Sequence, residues 1–341
     1  MRKLFVTGGA GFIGSAFVRL LLEEIPSARV TNFDALTYAG NLDNLQNIDQ
    51  TRHQFIRGDI TDRNAVRTAI AEDFDCLINF AAESHVDRSI TSADEFLRTN
   101  VLGTQVLLDA ARERGVRRFV HISTDEVMGS LPEAADEYFC EDSPFAPNSP
   151  YAASKAAAEH LVRAARHTFG LDTVITRCGN NYGPRQFPEK FLPLMLANAL
   201  QDDPIPVYGD GCNVRDWIFV EDHCRAILLA LEKGRAGGVY NIGARNERRN
   251  VDVAKSVLDQ LNKPHSLLKF VKDRLGHDRR YAIDPSLAEN ELGWRPRETW
   301  ESGLEKTIRW YRENPEWIAR ARSGAYRDFY SKQYGTEVEA Q

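Results

Sequence analysis

The sequence predicts an α/β protein built on a doubly wound parallel sheet, with a smaller mixed α/β lobe interleaved with it. Three observations carry this. Short apolar runs alternate with helix-length amphipathic segments through the first half of the chain, the pattern of successive βαβ units. A glycine-rich turn, Gly8-Gly-Ala-Gly-Phe-Ile-Gly14, joins the first apolar run directly to the first amphipathic segment. After Arg177 the alternation breaks down into short apolar runs interrupted by Pro184, Pro188, Pro193, Pro204, Pro206 and Gly209-Asp-Gly211.

Taken in order, Lys3 to Thr7 reads as a buried strand, Ser15 to Glu24 as a helix, and Arg29 to Phe33 as a second strand ending at Asp34. A strand near Gln54 to Arg57, a helix near Arg63 to Ala71 and a strand from Cys76 to Phe80 follow. A long helix from about Ala93 to Arg114 leads to the strand Arg118 to Ser123. A helix opening at Tyr151 and the strand Asp172 to Arg177 complete this part. Each strand is a near-continuous apolar run, as expected of strands buried on both faces. A helix from Glu221 to Lys233 and a strand from Gly238 to Ile242 read as a return to the main sheet. The run Trp300 to Asn314 belongs to the smaller lobe. The expected domains are therefore 1–179 with a return segment at about 218–245, and 180–217 with 246–341. Tyr326, Phe329, Tyr330 and Tyr334 fall on one helical face and are expected to dock on the body. No repeat or low-complexity linker separates the lobes, so function is expected in the cleft between them.

Composition narrows the classes of function. The chain has 341 residues, 43% hydrophobic and 27% charged, enough for a large core. A net charge of −6 and a pI near 5.8 argue against nucleic acid as a partner. No apolar run approaches the ~20 residues of a membrane span. The chain enters a strand at Lys3 without room for a signal peptide before it. Five cysteines lack C-x-x-C spacing, and the expectation is reduced thiols in a cytoplasmic protein. Eight histidines show no ligand spacing, so no metal is expected.

The chemistry-bearing residues cluster at strand ends. In the glycine turn, Gly8, Gly11 and Gly14 let backbone approach a pyrophosphate, and the following helix aims free N–H groups at it. Asp34 lies about 20 residues beyond, where a carboxylate accepts from a ribose 2′-hydroxyl and repels a 2′-phosphate. This is a Rossmann-like fingerprint for NAD rather than NADP. Tyr151 and Lys155 are four residues apart, on one face of a helix, so the ammonium is expected to lower the phenol's pKa and make it a base. The Thr124 hydroxyl, at the end of a strand, is placed to share a proton with that phenol. Asp125 and Glu126 add an acid and a base to a set already able to oxidise an alcohol. A plain dehydrogenase needs neither.

With these residues in view, the chain resembles the extended short-chain dehydrogenases/reductases, and among them the nucleotide-sugar 4,6-dehydratases. The resemblance runs from Thr7 to about Trp310. It rests on the glycine turn, Leu36-Thr-Tyr-Ala-Gly-Asn41, Ala81-Ala-Glu-Ser-His-Val-Asp-Arg88, Ser123-Thr-Asp-Glu-Val127 and Asn180-Asn-Tyr-Gly-Pro184. It continues through Phe187-Pro-Glu-Lys190, Arg215-Asp-Trp217, Val220-Glu-Asp-His223 and Gly276-His-Asp-Arg-Arg-Tyr-Ala-Ile-Asp284. It implies that Tyr151, aided by Lys155 and Thr124, deprotonates the sugar 4-hydroxyl while hydride leaves carbon 4 for NAD. Glu126 then takes the carbon 5 proton and Asp125, kept protonated by its acidic neighbour, protonates the departing 6-hydroxyl. Return of the hydride to carbon 6 and of a proton to carbon 5 completes a 4-keto-6-deoxy sugar.

The same resemblance implies NAD contacts from Phe12, Ile13, Asp34, Ala35, Leu36, Thr37, Asp59, Ile60, Phe80, Ala81, Ala82, Thr99 and Asn181. It implies substrate contacts from Ser84, Thr124, Asn180, Glu189, Lys190, Arg215, Asn250 and Asp273 to His277. The Arg215 fork suits a diphosphate, whereas Arg279 and Arg280 serve equally well as structural ion-pair partners. His85 and His121 read as polar residues near the site rather than as acid or base. The implied substrate is a nucleoside diphosphate hexose, dTDP-glucose first and a UDP-linked sugar as the alternative. A nucleotide-sugar 4-epimerase also uses NAD with Tyr-x₃-Lys, but needs no adjacent acid and base; a non-enzymatic NAD-binding scaffold would need none of these groups. Three positions depart from the family pattern: Met128 and Arg185, each in place of a tyrosine, are expected to reshape the sugar or base pocket, and Leu275, in place of a proline, to relax its loop. A homodimer is expected through the helices near Ala93 to Arg114 and Tyr151 to Phe169.

Overall fold

The computed structural model describes residues 2–71, 73–133 and 136–322. The described strands are β1 (Arg2–Thr7), β2 (Ala28–Asp34), β3 (His53–Arg57), β4 (Cys76–Asn79), β5 (Arg118–Thr124), β6 (Thr173–Cys178), β7 (Asn180–Tyr182), β8 (Ile205–Tyr208), β9 (Val214–Phe219), β10 (Gly238–Ile242), β11 (Glu247–Arg249) and β12 (Leu268–Val271). Seven of them form one sheet in the order β10-β6-β5-β4-β1-β2-β3, with every pairing parallel. From β1 the chain builds β2 and β3 on one side, then crosses to β4 on the other. The order reverses between β1 and β4, and a crevice opens there at the carboxyl ends.

Side chains alternate across this sheet as strand geometry requires. Leu4 and Val6 face a core with Phe17, Leu21 and Ile227, whereas Phe5 between them faces a second core with Phe33, Leu107 and Phe119. The first core is closed by the helices Phe12–Glu24 and Val220–Lys233. β10 pairs with β6, so the chain does return to the main sheet after leaving it. The remaining strands make a three-stranded sheet, β11-β9-β7, and a two-stranded one, β12-β8. These pack with the helices Phe191–Leu200, Asn250–Leu261 and Trp300–Glu313 around a third core containing Tyr182, Trp217 and Trp300. Pro193 does not break the first of these helices. It stands at the third position, among the residues whose N–H groups have no intrahelical acceptor.

Two local features set up the site. The helical run expected from Ala93 to Arg114 contains a π-helical stretch, Leu97–Gly103, between the α-helical pieces Asp94–Phe96 and Thr104–Glu113. Asn100, within that stretch, accepts from the Glu83 N–H at 2.9 Å and donates to the Glu83 carbonyl at 2.9 Å and to Ser154 Oγ at 2.8 Å. It thereby ties the loop after β4 to the helix Pro150–Phe169. That helix has a Ser149 cap on the Ala152 N–H, Pro150 in its first turn and Gly170 in the left-handed region at its end. Each end is signalled in the sequence.

The helix Pro150–Phe169 is fastened to the sheet by charge. Arg177 on β6 donates to both oxygens of Glu159 at 2.9–3.1 Å, and both side chains are buried. Among the described residues, no helix is long and apolar enough to cross a membrane. The tail aromatics Tyr326, Phe329, Tyr330 and Tyr334 lie outside the described residues. Because a buried pair loses most when one partner is removed, Glu159→Ala should cost about 3–5 kcal/mol. Urea denaturation checks this, and a loss below ~1 kcal/mol would show that the pair is not holding the helix.

Candidate active site

A cleft of about 440 Å³ runs along the carboxyl ends of the main sheet and is closed from the other side by the second lobe. At one end lies the glycine turn. Gly8 has φ +70°, and a Cβ there would stand 2.6 Å from the Ala81 nitrogen; a Cβ on Gly14 would stand 2.2 Å from the Gly8 carbonyl oxygen. Neither position tolerates a side chain without moving backbone. The helix that begins at Phe12 has no side-chain cap, so its first N–H groups are available to an anion. Asp34 accepts from the Ala10 N–H at 2.9 Å and the Leu36 N–H at 2.8 Å, which fixes its carboxylate at the cleft wall. A carboxylate at a strand end beside an uncapped helix start fits the ribose and pyrophosphate of a dinucleotide.

Gly8, Gly11, Phe12, Ile13, Gly14, Asp34, Ala35, Thr37, Asp59, Ile60, Phe80, Ala81, Ala82, Thr99 and Asn181 all line this cleft. Leu36 does not. Its φ of 55° turns the side chain toward the sheet core, and it serves the site through its N–H on Asp34. Asn181 donates to the Gly179 carbonyl at 3.1 Å and to Cys178 Sγ at 3.3 Å, while its Oδ1 pairs with His223 Nδ1 at 2.9 Å. Burial holds His223 at about 3, so the ring is neutral at physiological pH.

At mid-cleft, β5 delivers Thr124, Asp125 and Glu126 beside Tyr151 and Lys155. The Thr124 hydroxyl lies beside the Tyr151 phenol and donates to Asp125 Oδ1 at 3.2 Å. Lys155 Nζ donates to the Ile122 carbonyl at 2.7 Å. Burial lowers its pKa to about 8, against the pull of Glu159. The expected depression of the phenol by this lysine is not what the structure shows. Burial pushes Tyr151 well above its ordinary range, Glu126 adds to this, and the Thr124 hydroxyl opposes. Shared helix face is a matter of spacing, whereas desolvation depends on what packs around the pair.

The two carboxylates differ. Burial and then the neighbouring Glu126 raise Asp125 well above the usual carboxylate range, and its Oδ2 is buried without a hydrogen-bond partner among the described residues. Glu126 is also raised by burial, but Arg274, Arg215 and Lys190 pull it down. Both carboxyls are raised, Asp125 the further of the two, so Asp125 holds its proton more firmly than Glu126 does.

At the far end, Ser84, Asn180, Glu189, Lys190, Arg215, Asn250 and His277 line the cleft with Arg274 and Tyr281. Arg215 is not the surface partner of Asp216 that its neighbour suggests. It is buried, donates to the Asp278 carbonyl at 2.8 Å and stacks over the Tyr281 ring, 4.2 Å from its centre. Lys190 Nζ meets the Ser84 carbonyl at 2.5 Å, and Asn250 Oδ1 is buried without a partner among the described residues. Asp273 stands behind the wall, 2.6 Å from His277 Nδ1. Arg279 pairs with Glu133 and Asp210, and Arg280 with Glu247, so both serve the structure.

Met128 and Arg185 do not reshape the pocket as expected, because neither reaches its wall. Met128 is buried against Val127, Phe139 and Tyr281, and Arg185 lies over Trp310 at 5.2 Å. Leu275 is 73% exposed on its loop. Sequence reasoning assigned no role to Glu83, which lines the cleft and is raised to about 7 by burial, with Glu189 adding and Arg88 opposing. Its position just after the strand ending at Asn79 was the available signal.

Comparison with known proteins agrees with this geometry. The family model described as GDP-mannose 4,6 dehydratase matches residues 5–307. The dTDP-glucose 4,6-dehydratase of Neisseria meningitidis is 50% identical over 96% of this chain and 98% of its own. The dTDP-glucose 4,6-dehydratase DesIV of Streptomyces venezuelae, solved with NAD and TYD bound, is 49% identical with a TM-score of 0.90, covering 94% of this chain and 99% of its own. A UDP-glucose 4-epimerase of Thermus thermophilus, in complex with NAD, follows at 32% identity and a TM-score of 0.84, over 91% of this chain and 99% of its own. The fold is thus common to dehydratases and epimerases, and with half its residues identical to dTDP-glucose 4,6-dehydratases over nearly its full length, the chain belongs to that family of nucleotide-sugar dehydratases.

Proposed function

We propose that this protein is an NAD-dependent hydro-lyase that converts dTDP-glucose to its 4-keto-6-deoxy derivative. The observation that carries the reading is the Asp125-Glu126 pair, set beside Tyr151 and Thr124 in the cleft, with Asp125 raised further than Glu126. An epimerase needs only the alcohol-oxidising half of that set. Relatives half identical in sequence carry the same activity in their names, and one was solved with NAD and TYD bound.

The glycine turn, Asp34 and the cleft residues near them would hold NAD, with Asn181 toward the nicotinamide. When bound, NAD supplies the acceptor for the carbon 4 hydride, its return to carbon 6, and a positive charge that offsets the burial keeping Tyr151 protonated. Tyr151 then takes the proton of the 4-hydroxyl, with the Thr124 hydroxyl beside the phenol and Lys155 on the same helix face. Glu126 removes the proton on carbon 5, which the new 4-ketone has acidified, and carbon 5 regains a proton once hydride is back on carbon 6. Asp125 gives its proton to the departing 6-hydroxyl. Arg215 and Lys190 take the diphosphate side, and Asn180, Asn250, Ser84, Glu189 and the 273–277 loop orient the rest of the substrate.

A homodimer is supported by the surface. Leu97, Leu102 and Phe169 are each about half exposed, at 52%, 45% and 55%. They sit on the two helical runs beside a shallow groove lined by Leu108, Leu161, Ala165 and Leu171. A second copy laying the same two helices across this face would bury them in a four-helix contact.

Deuterium placed at carbon 4 of the substrate should reappear at carbon 6 of the product, read by mass spectrometry or NMR; wash-out to solvent would sink the internal hydride. Tyr151→Phe should abolish both oxidation and dehydration. Glu126→Gln and Asp125→Asn should lower turnover by ~10²–10⁴ while leaving oxidation intact. These two variants should therefore accumulate reduced cofactor, visible by near-ultraviolet absorbance on mixing. Wild-type turnover by Glu126→Gln would reopen the epimerase reading. Light scattering at micromolar concentration should give twice the 38.5 kDa chain mass, and a monomer would count against the dimer.

A further inference from the structure

The helix Pro315–Ala321 lies at the far end of the described chain, yet it reaches the glycine turn through two buried side chains. Trp317 is 5% exposed, and its Nε1 donates to Asn44 Oδ1 at 3.0 Å. Asn44 is 1% exposed, and its Nδ2 donates to the Ala10 carbonyl at 3.0 Å. The Ala10 N–H in turn donates to Asp34 Oδ2 at 2.9 Å. Four groups thus form one relay from the second lobe to the turn and the acidic residue beside it.

The direction of each donor matters. An asparagine amide presents an oxygen on one side and an NH₂ on the other, and nothing in its shape favours either orientation. The indole N–H can only donate, so it fixes the Asn44 oxygen toward Trp317 and turns the NH₂ toward Ala10. Reversed, the amide would set oxygen against the Ala10 carbonyl oxygen. The Asn41 N–H also donates to that carbonyl, at 3.0 Å, so both sides of the Ala10 residue are held. The Trp317 ring is itself fixed by Trp310 and Tyr311, with centroids 5.1 and 6.2 Å away. The nearby Arg320–Asp43 ion pair is exposed and contributes little.

We infer that Trp317 and Asn44 are positioning residues for cofactor retention: the helix Pro315–Ala321 acts as a clasp that orients Ala10 and, through it, the Asp34 carboxylate. The inference rests on the reading that the glycine turn and Asp34 seat NAD. Neither residue touches the reacting atoms. Their effect is on the affinity for NAD and not on the chemistry once NAD is bound.

The test is equilibrium dialysis of NAD against full-length protein stripped of cofactor, for wild type, W317F, N44A and the double variant. Loss of a single net hydrogen bond corresponds to about a 2- to 12-fold weaker affinity. W317F, which keeps the aromatic packing but lacks the donor, should weaken NAD binding by that factor, and N44A by at least as much. Because Trp317 acts through Asn44, the double variant should bind no more weakly than N44A alone. kcat at saturating NAD should stay at the wild-type level in all three. Unchanged NAD affinity in W317F, or losses that multiply in the double variant, would overturn the clasp, whatever happens to the melting temperature of the stripped protein. If W317F does not fold, N44A decides: a wild-type affinity refutes the inference. Failure of the wild-type protein to bind NAD would instead refute the seat itself, and the clasp with it.

Discussion

The site depends on how the helix Pro150–Phe169 is locked onto β5 and β6. Lys155 donates to a carbonyl of β5, and Glu159, one turn later, meets Arg177 of β6. Two buried cations and a buried carboxylate are costly to desolvate, and they persist because each finds a partner across the helix–sheet boundary. Sliding or rotating this helix would strand all three. The register so imposed sets Tyr151 against Thr124, and the strand end that carries Thr124 also carries Asp125 and Glu126. Oxidation and elimination are therefore positioned by one constraint.

Within that frame, chemical division of labour comes from surroundings. Asp125 and Glu126 are neighbours in sequence, but Asp125 is fully buried and raised further by Glu126 and Asp216, with Arg215 opposing, whereas on the half-buried Glu126 three cations, Arg274, Arg215 and Lys190, oppose burial. Those cations also suit a diphosphate, so the groups placed to hold the substrate are the groups that oppose the effect of burial on Glu126. The family's shared fold with 4-epimerases makes the point from the other side. One scaffold serves both reactions, so the difference between them lies in the site and not in the fold.

Much of this was legible in the sequence because the main sheet is buried on both faces. Runs such as Leu4-Phe-Val6 and Phe119-Val-His-Ile122 read as strands before any pairing is known. The helix expected from Tyr151 to Phe169 matches Pro150–Phe169 to within one residue. The short strands β7, β8, β11 and β12 were not legible, since runs of 3 or 4 residues around prolines and glycines carry no period. The helix Phe191–Leu200 was hidden by its own Pro193. Spacing also misjudged the electrostatics of Tyr151, which desolvation dominates, and the reach of Met128 and Arg185, which tertiary packing turns away from the cleft.

The placement of β10 has a consequence for biosynthesis. Strand β6 waits for its outer neighbour until the ribosome has also made β7, β8 and β9, and the helix Phe12–Glu24 waits as long for its cover, Val220–Lys233. A nascent chain ending near Cys178 would hold six of the seven sheet strands in order, with Val174, Cys178 and the apolar flank of the first helix still wet. Such an unfinished edge is an adhesive surface for other nascent chains. The two lobes are thus not modules that evolution or an engineer can exchange at a linker. They mature together, and the dinucleotide seat becomes firm only late in translation.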